Sequence, residues 1–260
     1  MTVGYEVRDE IAYISFNRPE KHHALRDEDL AALVDALRRL DAEDDVQIGI
    51  LFGRGRSFSS GGDVNDRLQR SMDEGTTSNR TTEYEAFRDC VNWKPVIAAV
   101  HGYCLGHALG TALYCDHLVA ARDATFEVTE IKLGLPTATS IPRLGGSAFA
   151  CDVAMTGRRF SAEEAWHAGI VTRLVDEGRH VEAAEELARQ ILQNPQWAVR
   201  QNVRVRRTVL AEEAARYQAL PEGFDWATDD AARDAVAKLA AGGAHDSGDR
   251  RARPSVRPTG

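Results

Sequence analysis

The residues that decide the fold are PVIAAVHGYCLGHALGTALYCDHLVAARDATFEV, residues 95–128. The apolar run PVIAAV predicts a buried strand, and a glycine-bearing turn and then the helical segment ALGTALYC follow it. DHLVAARDATFEV indicates two more short strands. The succession of strand, turn, helix and strand predicts an α/β core. Glycines at a strand-to-helix turn allow a ligand to approach the backbone, so this turn is also the first candidate for a site.

The segments around this stretch extend the pattern. YEVRDEIAYISF, residues 5–16, predicts two strands with a turn at Asp9-Glu10, and VQIGILF, residues 46–52, predicts a buried strand. SAEEAWHAG, residues 161–169, predicts a short helix with a capping box between Ser161 and Glu164. One apolar helical face is predicted from residues that recur at spacings of three and four, namely Leu30, Leu33, Val34, Leu37 and Leu40.

The chain changes character after about residue 180, where helical patterns follow one another without strands. We therefore predict an α/β core over residues 1–190 and a helical region over residues 191–242. The last residues, 243–260, are polar and rich in glycine, proline and arginine, and we expect them to be disordered. Residues 66–85 lack a clear period and are expected to form a mobile loop that runs into a helix.

Composition excludes several classes of function. The formal net charge of -8 argues against a nucleic-acid-binding surface. The four cysteines match no zinc or Cys-x-x-Cys spacing, so we expect reduced thiols, no metal site and a cytoplasmic location. No apolar run approaches the roughly 18 residues that a membrane-spanning helix needs, and the first residues lack the pattern of a signal peptide.

Four segments in order resemble motifs of the crotonase superfamily, the enoyl-CoA hydratase/isomerase family. They are FNRPEKHHAL (16–25), GRGRSFSSGGDV (53–64), the central stretch KPVIAAVHGYCLGHALGTALYCDHLVAARDATFEVTEIKLGL (94–135) and MTGRRFSAEEAWHAGIVTRLV (155–175). The resemblance covers about residues 3–240. It implies an α/β spiral of ββα units with a C-terminal helical oligomerisation region, assembled as a homotrimer or a dimer of trimers. It also implies an acyl-CoA thioester as substrate, with coenzyme A part of the substrate and no further cofactor.

The resemblance further implies an oxyanion hole made by the backbone N–H groups of Gly62 and His107. Such donors stabilise negative charge on a thioester oxygen without ionising themselves. The His107 side chain has two interpretations, a spacer that points away from the ligand and an imidazole that reaches it; the spacer is favoured because a backbone role needs no particular side chain. The residues that the resemblance places along the substrate are His23, Ala24, Ser60, Gly61, Asp63, Val64, Gly106 and Gly110.

By the same resemblance, Glu130 is the general acid/base. A second carboxylate, which members that hydrate a double bond carry, would fall at Gly110, where there is no side chain. The single carboxylate resembles the isomerase branch, and the glycine could enlarge the pocket for a bulky or cyclic acyl group. Glu127 is disfavoured as a second acid because strand alternation places it on the face opposite Glu130.

Other reactions stay open at this stage. Hydration, hydration coupled to C–C cleavage and C–C bond hydrolysis are alternatives, since LPTATSIPRL (135–144) lacks the glycines that the family commonly has there. A non-catalytic, CoA-binding member of the fold is a further alternative. The absence of any aspartate between Thr129 and Arg143 argues against dehalogenation. The basic residues that the resemblance places near the nucleotide are Arg18, Lys21, Arg54, Arg56 and Arg67.

Overall fold

A computed structural model of the chain describes residues 2–63, 83–133 and 147–218, together with the single positions 66, 144, 234 and 237. Three sequence predictions lie largely or wholly outside these residues: the loop at 66–85, the last helix of the helical region and the disordered tail. Val64 and Arg67 also lie outside them.

The larger of two sheets has six strands in the order β1-β2-β3-β4-β6-β9. The first two strands pair antiparallel and the rest pair in parallel. Asp9 and Glu10 form the predicted turn between β1 and β2, with φ values of 50° and 64°. The strands are β1 (Val3–Arg8), β2 (Ile11–Phe16), β3 (Ile48–Gly53), β4 (Val96–Val100), β6 (His117–Ala121) and β9 (Arg173–Val175).

A smaller sheet contains β5 (Tyr103–Leu105), β7 (Thr125–Glu127) and β8 (Phe160–Ser161). β4 and β5 are consecutive, as are β6 and β7, and the first strand of each pair joins the large sheet while the second joins the small one. Ser59 forms a parallel bridge to Cys104 and so continues the small sheet by one position. This alternation between two sheets is the predicted spiral of repeated units.

Seven helices lie in the described part of the chain: α1 (Asp27–Ala42), α2 (Glu83–Arg88), α3 (His107–Tyr114), α4 (Ser147–Thr156), α5 (Ala162–His167), α6 (His180–Leu192) and α7 (Gln196–Gln218). Short 3-10 turns occur at Pro19–Lys21 and Glu130–Leu133. All five apolar residues predicted to form one face of α1 are buried. Both hydrogen bonds of the predicted Ser161–Glu164 capping box are present at the start of α5.

The large sheet is buried on both faces, which explains why its strands are almost continuously apolar. Ile11, Ile48 and Ile97 point to one face, where Ala184 and Leu187 of α6 cover them. The opposite face packs against α1, α3 and the small sheet in a second, larger cluster. α3 contacts β5 of the small sheet and β6 of the large sheet, so the core holds this helix from two sides.

The first half of α7 packs against the core of its own chain. Arg207 is buried and pairs with the buried carboxylate of Asp116, with 2.5 Å between Nη2 and Oδ2. Arg206 pairs with the same carboxylate at 3.1 Å and donates to the backbone oxygen of Cys115 at 2.9 Å. These contacts satisfy the C-terminal end of α3, where cations and donors are favourable. Within the described ranges, no helix combines the length and the apolar character that crossing a bilayer requires.

Candidate active site

The loop that contains Gly61 and Gly62 lies against the backbone at the start of α3. Gly61 has a φ of 96°, and a Cβ added there would be 2.6 Å from the Leu105 oxygen and 3.7 Å from the His107 nitrogen. Only glycine permits this approach. The Gly61 N–H donates to Ser59 Oγ at 3.1 Å, whereas the N–H of Gly62 donates to no residue that the structure describes. The loop therefore brings the Gly62 N–H beside the N-terminus of α3.

The second predicted donor, His107, is the first residue of α3. Its N–H precedes the hydrogen-bond ladder of the helix, in the region where the helix dipole is positive. The preceding residue, Gly106, has a φ of 52° and donates its N–H to the Glu127 oxygen at 2.8 Å. That bond ties the start of the helix to the small sheet and fixes the direction of the helix axis. The two predicted oxyanion donors thus come from segments in direct contact.

Glu130 lies over the same helix start. A Cβ added at Gly106 would be 3.1 Å from Glu130 Oε1, so the carboxylate lies directly against this glycine. Burial raises the pKa of Glu130 above its ordinary value, and three weaker influences oppose the rise: a hydrogen bond from its own backbone N–H, the electrostatic interaction with His107 and a hydrogen bond from Thr129. A desolvated carboxylate whose pKa is raised is a stronger base than an ordinary glutamate, as a group that accepts and returns a proton requires.

The ring of His107 lies on the side of the helix that carries these groups. Its centroid is 5.4 Å from that of the Tyr84 ring, and His107 interacts electrostatically with the carboxyl group of Glu130. The imidazole therefore packs beside Tyr84, within electrostatic range of the candidate acid/base. The spacer interpretation of this ring stays a prediction, as does the alternative in which the imidazole reaches the ligand.

Tyr84 fills the space beside Gly110. A Cβ added at Gly110 would be 2.5 Å from the Tyr84 hydroxyl oxygen and 3.5 Å from Tyr84 Cζ. The Tyr84 hydroxyl therefore takes the space that a side chain at Gly110 would need, and a pocket enlarged by this glycine stays a prediction. Tyr84 stacks on Tyr114 with centroids 4.4 Å apart, which holds the phenol in place. Tyr84 was not predicted as a site residue; the only sign of it in the sequence is the spacing of three residues between Tyr84 and Phe87, both of which pack on Tyr114.

Glu127 is a structural residue. Its side chain is buried and forms ion pairs with Lys132 at 2.6 Å and Arg159 at 2.7 Å. Burial alone would raise the pKa of Glu127, but these two cations outweigh it and the pKa is lowered. Glu127 stays ionised and neutralised by its partners, which agrees with the expectation that it is not the second acid.

The other predicted substrate-binding residues lie around the glycine loop. His23 is buried, its Nδ1 accepts the Arg18 N–H at 2.9 Å and its Nε2 donates to the Arg54 oxygen. The His23 ring is thus committed to the fold, and burial lowers its pKa. Ser60 donates its N–H to the His22 oxygen, and Asp63 donates its N–H to the Leu25 oxygen.

Ala24 is half-buried next to this segment, with its oxygen bonded to Arg18. Arg18 also pairs with Asp29 at 3.2 Å and approaches Asp63 at 3.7 Å, so it is engaged within the protein. Lys21, Arg54 and Arg56 are exposed. In the ranges that the structure covers, no group of three or more histidine, cysteine, aspartate or glutamate side chains has the arrangement of a metal site.

Comparison with known proteins identifies the family. The model of the family "Enoyl-CoA hydratase/isomerase" matches residues 6–223. The chain is 33% identical over 196 residues to (E)-benzylidenesuccinyl-CoA hydratase of Thauera aromatica, covering 74% of this chain and 76% of that protein. It is 34% identical over 190 residues to 1,2-epoxyphenylacetyl-CoA isomerase of Escherichia coli, covering 70% and 72%.

A solved structure of an enoyl-CoA hydratase/isomerase from Pseudoalteromonas atlantica superposes with a TM-score of 0.79 at 28% identity, covering 93% of this chain and 98% of that one. The match of the family model over most of the chain, the relatives and the shared architecture lead to one conclusion: the chain belongs to the enoyl-CoA hydratase/isomerase family, also called the crotonase superfamily.

Proposed function

We propose that the protein isomerises the double bond of an enoyl-CoA, with Glu130 as the single carboxylate that moves the proton. The observation that carries this proposal is the position of the Glu130 carboxylate against Gly106, at the start of the helix that supplies one N–H of the oxyanion hole. A proton on the carbon next to a thioester carbonyl becomes removable when the resulting negative charge on oxygen is stabilised. Glu130 and the two N–H groups supply both requirements.

The proposed steps balance without a co-reactant. The ionised carboxylate of Glu130 takes a proton from C2 of a 3-enoyl thioester, and the electron pair moves to the thioester oxygen. The N–H groups of Gly62 and His107 hold that oxygen while the dienolate exists. Glu130 then returns the proton to C4, the double bond forms between C2 and C3, and the carboxylate is regenerated.

The experiment compares the wild type with Glu130→Gln on a 3-enoyl-CoA. We expect kcat to fall about 100- to 10,000-fold, the usual contribution of a general acid/base. Binding of an acyl-CoA, measured by calorimetry, should change little, because the amide keeps the shape of the carboxyl group. In the wild type, the acid limb of kcat/KM should lie above the ordinary glutamate value of 4.5, since burial raises the pKa of Glu130. Turnover of the variant at the wild-type rate would show that Glu130 is not the acid/base.

Activity on two classes of substrate should identify the type of acyl group that the protein accepts. Several relatives are named for aromatic thioesters, among them 1,2-epoxyphenylacetyl-CoA isomerase and hydroxycinnamoyl-CoA hydratase-lyase. Because Tyr84 fills the space at Gly110, a short linear acyl chain is equally compatible with the described wall of the site. The panel therefore contains linear 3-enoyl-CoAs and aryl-substituted ones, and the ratio of their kcat/KM values decides between the classes.

We infer the family's assembly, a homotrimer or a dimer of trimers, and a cytoplasmic location, with no cofactor beyond the CoA of the substrate. The exposed apolar side chains on α7, including Trp197 at 74% exposure, support an assembly in which this helix contacts another subunit. Light scattering of the purified protein measures the mass, and the mass of a single chain would contradict the inference.

A further inference from the structure

Two polar side chains lie along one helix beside the proposed oxyanion hole. The Glu130 carboxylate lies against Gly106, and the Tyr84 hydroxyl lies against Gly110. The two glycines are four residues apart and are joined by the bond from the Gly110 N–H to the Gly106 oxygen, at 3.0 Å. Positions one turn apart on a helix are neighbours, about 5–6 Å from each other. Both glycines lack the side chain that would cover this stretch of helix, so a carboxylate and a phenol approach the same stretch of backbone.

The phenol is held firmly in this position. Its ring stacks on Tyr114 with an interplanar angle of 29°, and Phe87 from the same short helix also packs on Tyr114. The centroid of the His107 ring lies 5.4 Å from that of the Tyr84 ring, with the two planes tilted by 32°. A hydroxyl has one donor and two acceptor positions, so it can keep a bond within the protein and still bind a small molecule.

We propose that Tyr84 is a second catalytic residue, whose hydroxyl holds a water molecule for addition to the double bond of a 2-enoyl-CoA. This proposal rests on the proposed function, because it uses the same Glu130 and the same oxyanion hole. The Tyr84 oxygen accepts one hydrogen of the water, and the other hydrogen points toward the ionised Glu130. The phenol stays protonated throughout, so no change in its charge is required.

The step conserves atoms and electrons. The water oxygen forms a bond to C3 while Glu130 takes the proton that the water loses. The electron pair of the C2–C3 double bond moves through C1 to the thioester oxygen, where the N–H groups of Gly62 and His107 stabilise it. Glu130 then gives the same proton to C2, and a 3-hydroxyacyl-CoA results. Isomerisation needs no water, so it should not require the Tyr84 hydroxyl.

The test compares Tyr84→Phe with the wild type in two assays. The first measures hydration of crotonyl-CoA from the loss of the absorbance of the conjugated thioester. The second measures isomerisation of 3-hexenoyl-CoA to the 2-enoyl product. Tyr84→Phe should lower kcat for hydration about 10- to 100-fold, the rate equivalent of one hydrogen bond made in the transition state. Isomerisation should stay within about 3-fold of the wild type, because it loses no such bond.

Tyr114→Phe is the matched control, since it removes a hydroxyl from the other ring of the same stack and should leave both rates unchanged. Equal losses in the two assays would show that Tyr84 only supports the fold of the site. An unchanged hydration rate would show that the Tyr84 hydroxyl holds no reacting water. Either result overturns the proposal. A wild type that isomerises but does not hydrate also overturns it and leaves the proposed function intact. Loss of the proposed function is recognised separately, by Glu130→Gln isomerising at the wild-type rate.

Discussion

Replacing Gly110 by alanine should change the free energy of unfolding, and the sign of that change should depend on the residue at position 84. Gly110 lies inside α3, where alanine is more favourable than glycine by about 1 kcal/mol because of its lower backbone entropy in the unfolded chain. The added Cβ would, however, be 2.5 Å from the Tyr84 hydroxyl oxygen. The phenol would have to move by several tenths of an ångström against its stack with Tyr114. Such overpacking costs about 1–3 kcal/mol.

In the Tyr84→Phe background the offending oxygen is gone. The nearest Tyr84 atom that remains, Cζ, would be 3.5 Å from the new Cβ, which is an ordinary van der Waals distance. Gly110→Ala should therefore destabilise the wild type by up to about 2 kcal/mol and stabilise the Tyr84→Phe protein by about 0.5–1 kcal/mol. The difference, a coupling energy of about 1–3 kcal/mol, belongs to the contact between the hydroxyl and position 110.

Urea denaturation of the four proteins at one protein concentration measures these free energies of unfolding, since association makes stability depend on concentration. Equal effects of Gly110→Ala in both backgrounds would show that the Tyr84 hydroxyl does not lie over Gly110. The structural basis of the second catalytic group would then fail, whatever the rates are. A stabilisation of the wild type by alanine would have the same meaning.

Two other predictions concern the fold around the site. Burial and the nearby charge of His101 lower the pKa of His180 from 6.5 to about 4. The stability that the neutral ring provides is therefore fully present above pH 6.5 and is lost as the pH falls toward 4. His180→Phe, which keeps the stack on His101, should recover about 1 kcal/mol of the unfolding free energy that the wild type loses between pH 7.5 and 5; equal losses in both proteins would contradict this. Arg207→Met leaves the buried Asp116 without its closest cation and should cost about 3 kcal/mol, whereas Arg204→Met, an exposed change on the same helix, should cost under about 0.5 kcal/mol. Equal costs measured by denaturation would show that the buried pair does not anchor α7.

The features that could be predicted from the sequence depend on residues close together in the chain or on the order of motifs along it. The apolar face of α1, the turn at Asp9-Glu10 and the Ser161–Glu164 capping box depend on residues close together in the chain. The spiral of two sheets was predicted from the order of four motifs. The same motifs placed Gly62 in the glycine loop and His107 at the start of α3, because each lies within a fixed local turn.

Contacts between distant residues explain what could not be predicted. Tyr84 reaches Gly110 across 26 positions, and α2 is too short to show a period. The direction of the His107 ring depends on Tyr84, so it could not be known without that contact. His23 lies in a polar segment, and nothing in its neighbours indicates that its ring is buried between two backbone groups. Arg207 is equally one polar residue among many on a helix, yet it is buried.

The pairing of Arg206 and Arg207 with Asp116 has a consequence for how the protein is made. Asp116 follows directly after the helix of the site, and its strongest partner is synthesised 91 residues later. A growing chain that has not yet reached these arginines holds a carboxylate in the interior without either guanidinium group, which is an unfavourable arrangement. Asp116 is therefore paired only after nearly all of the described chain has been synthesised. A chain that ends before residue 206 should leave this carboxylate unpaired at the end of α3, and we expect chaperones and proteases to recognise such a chain.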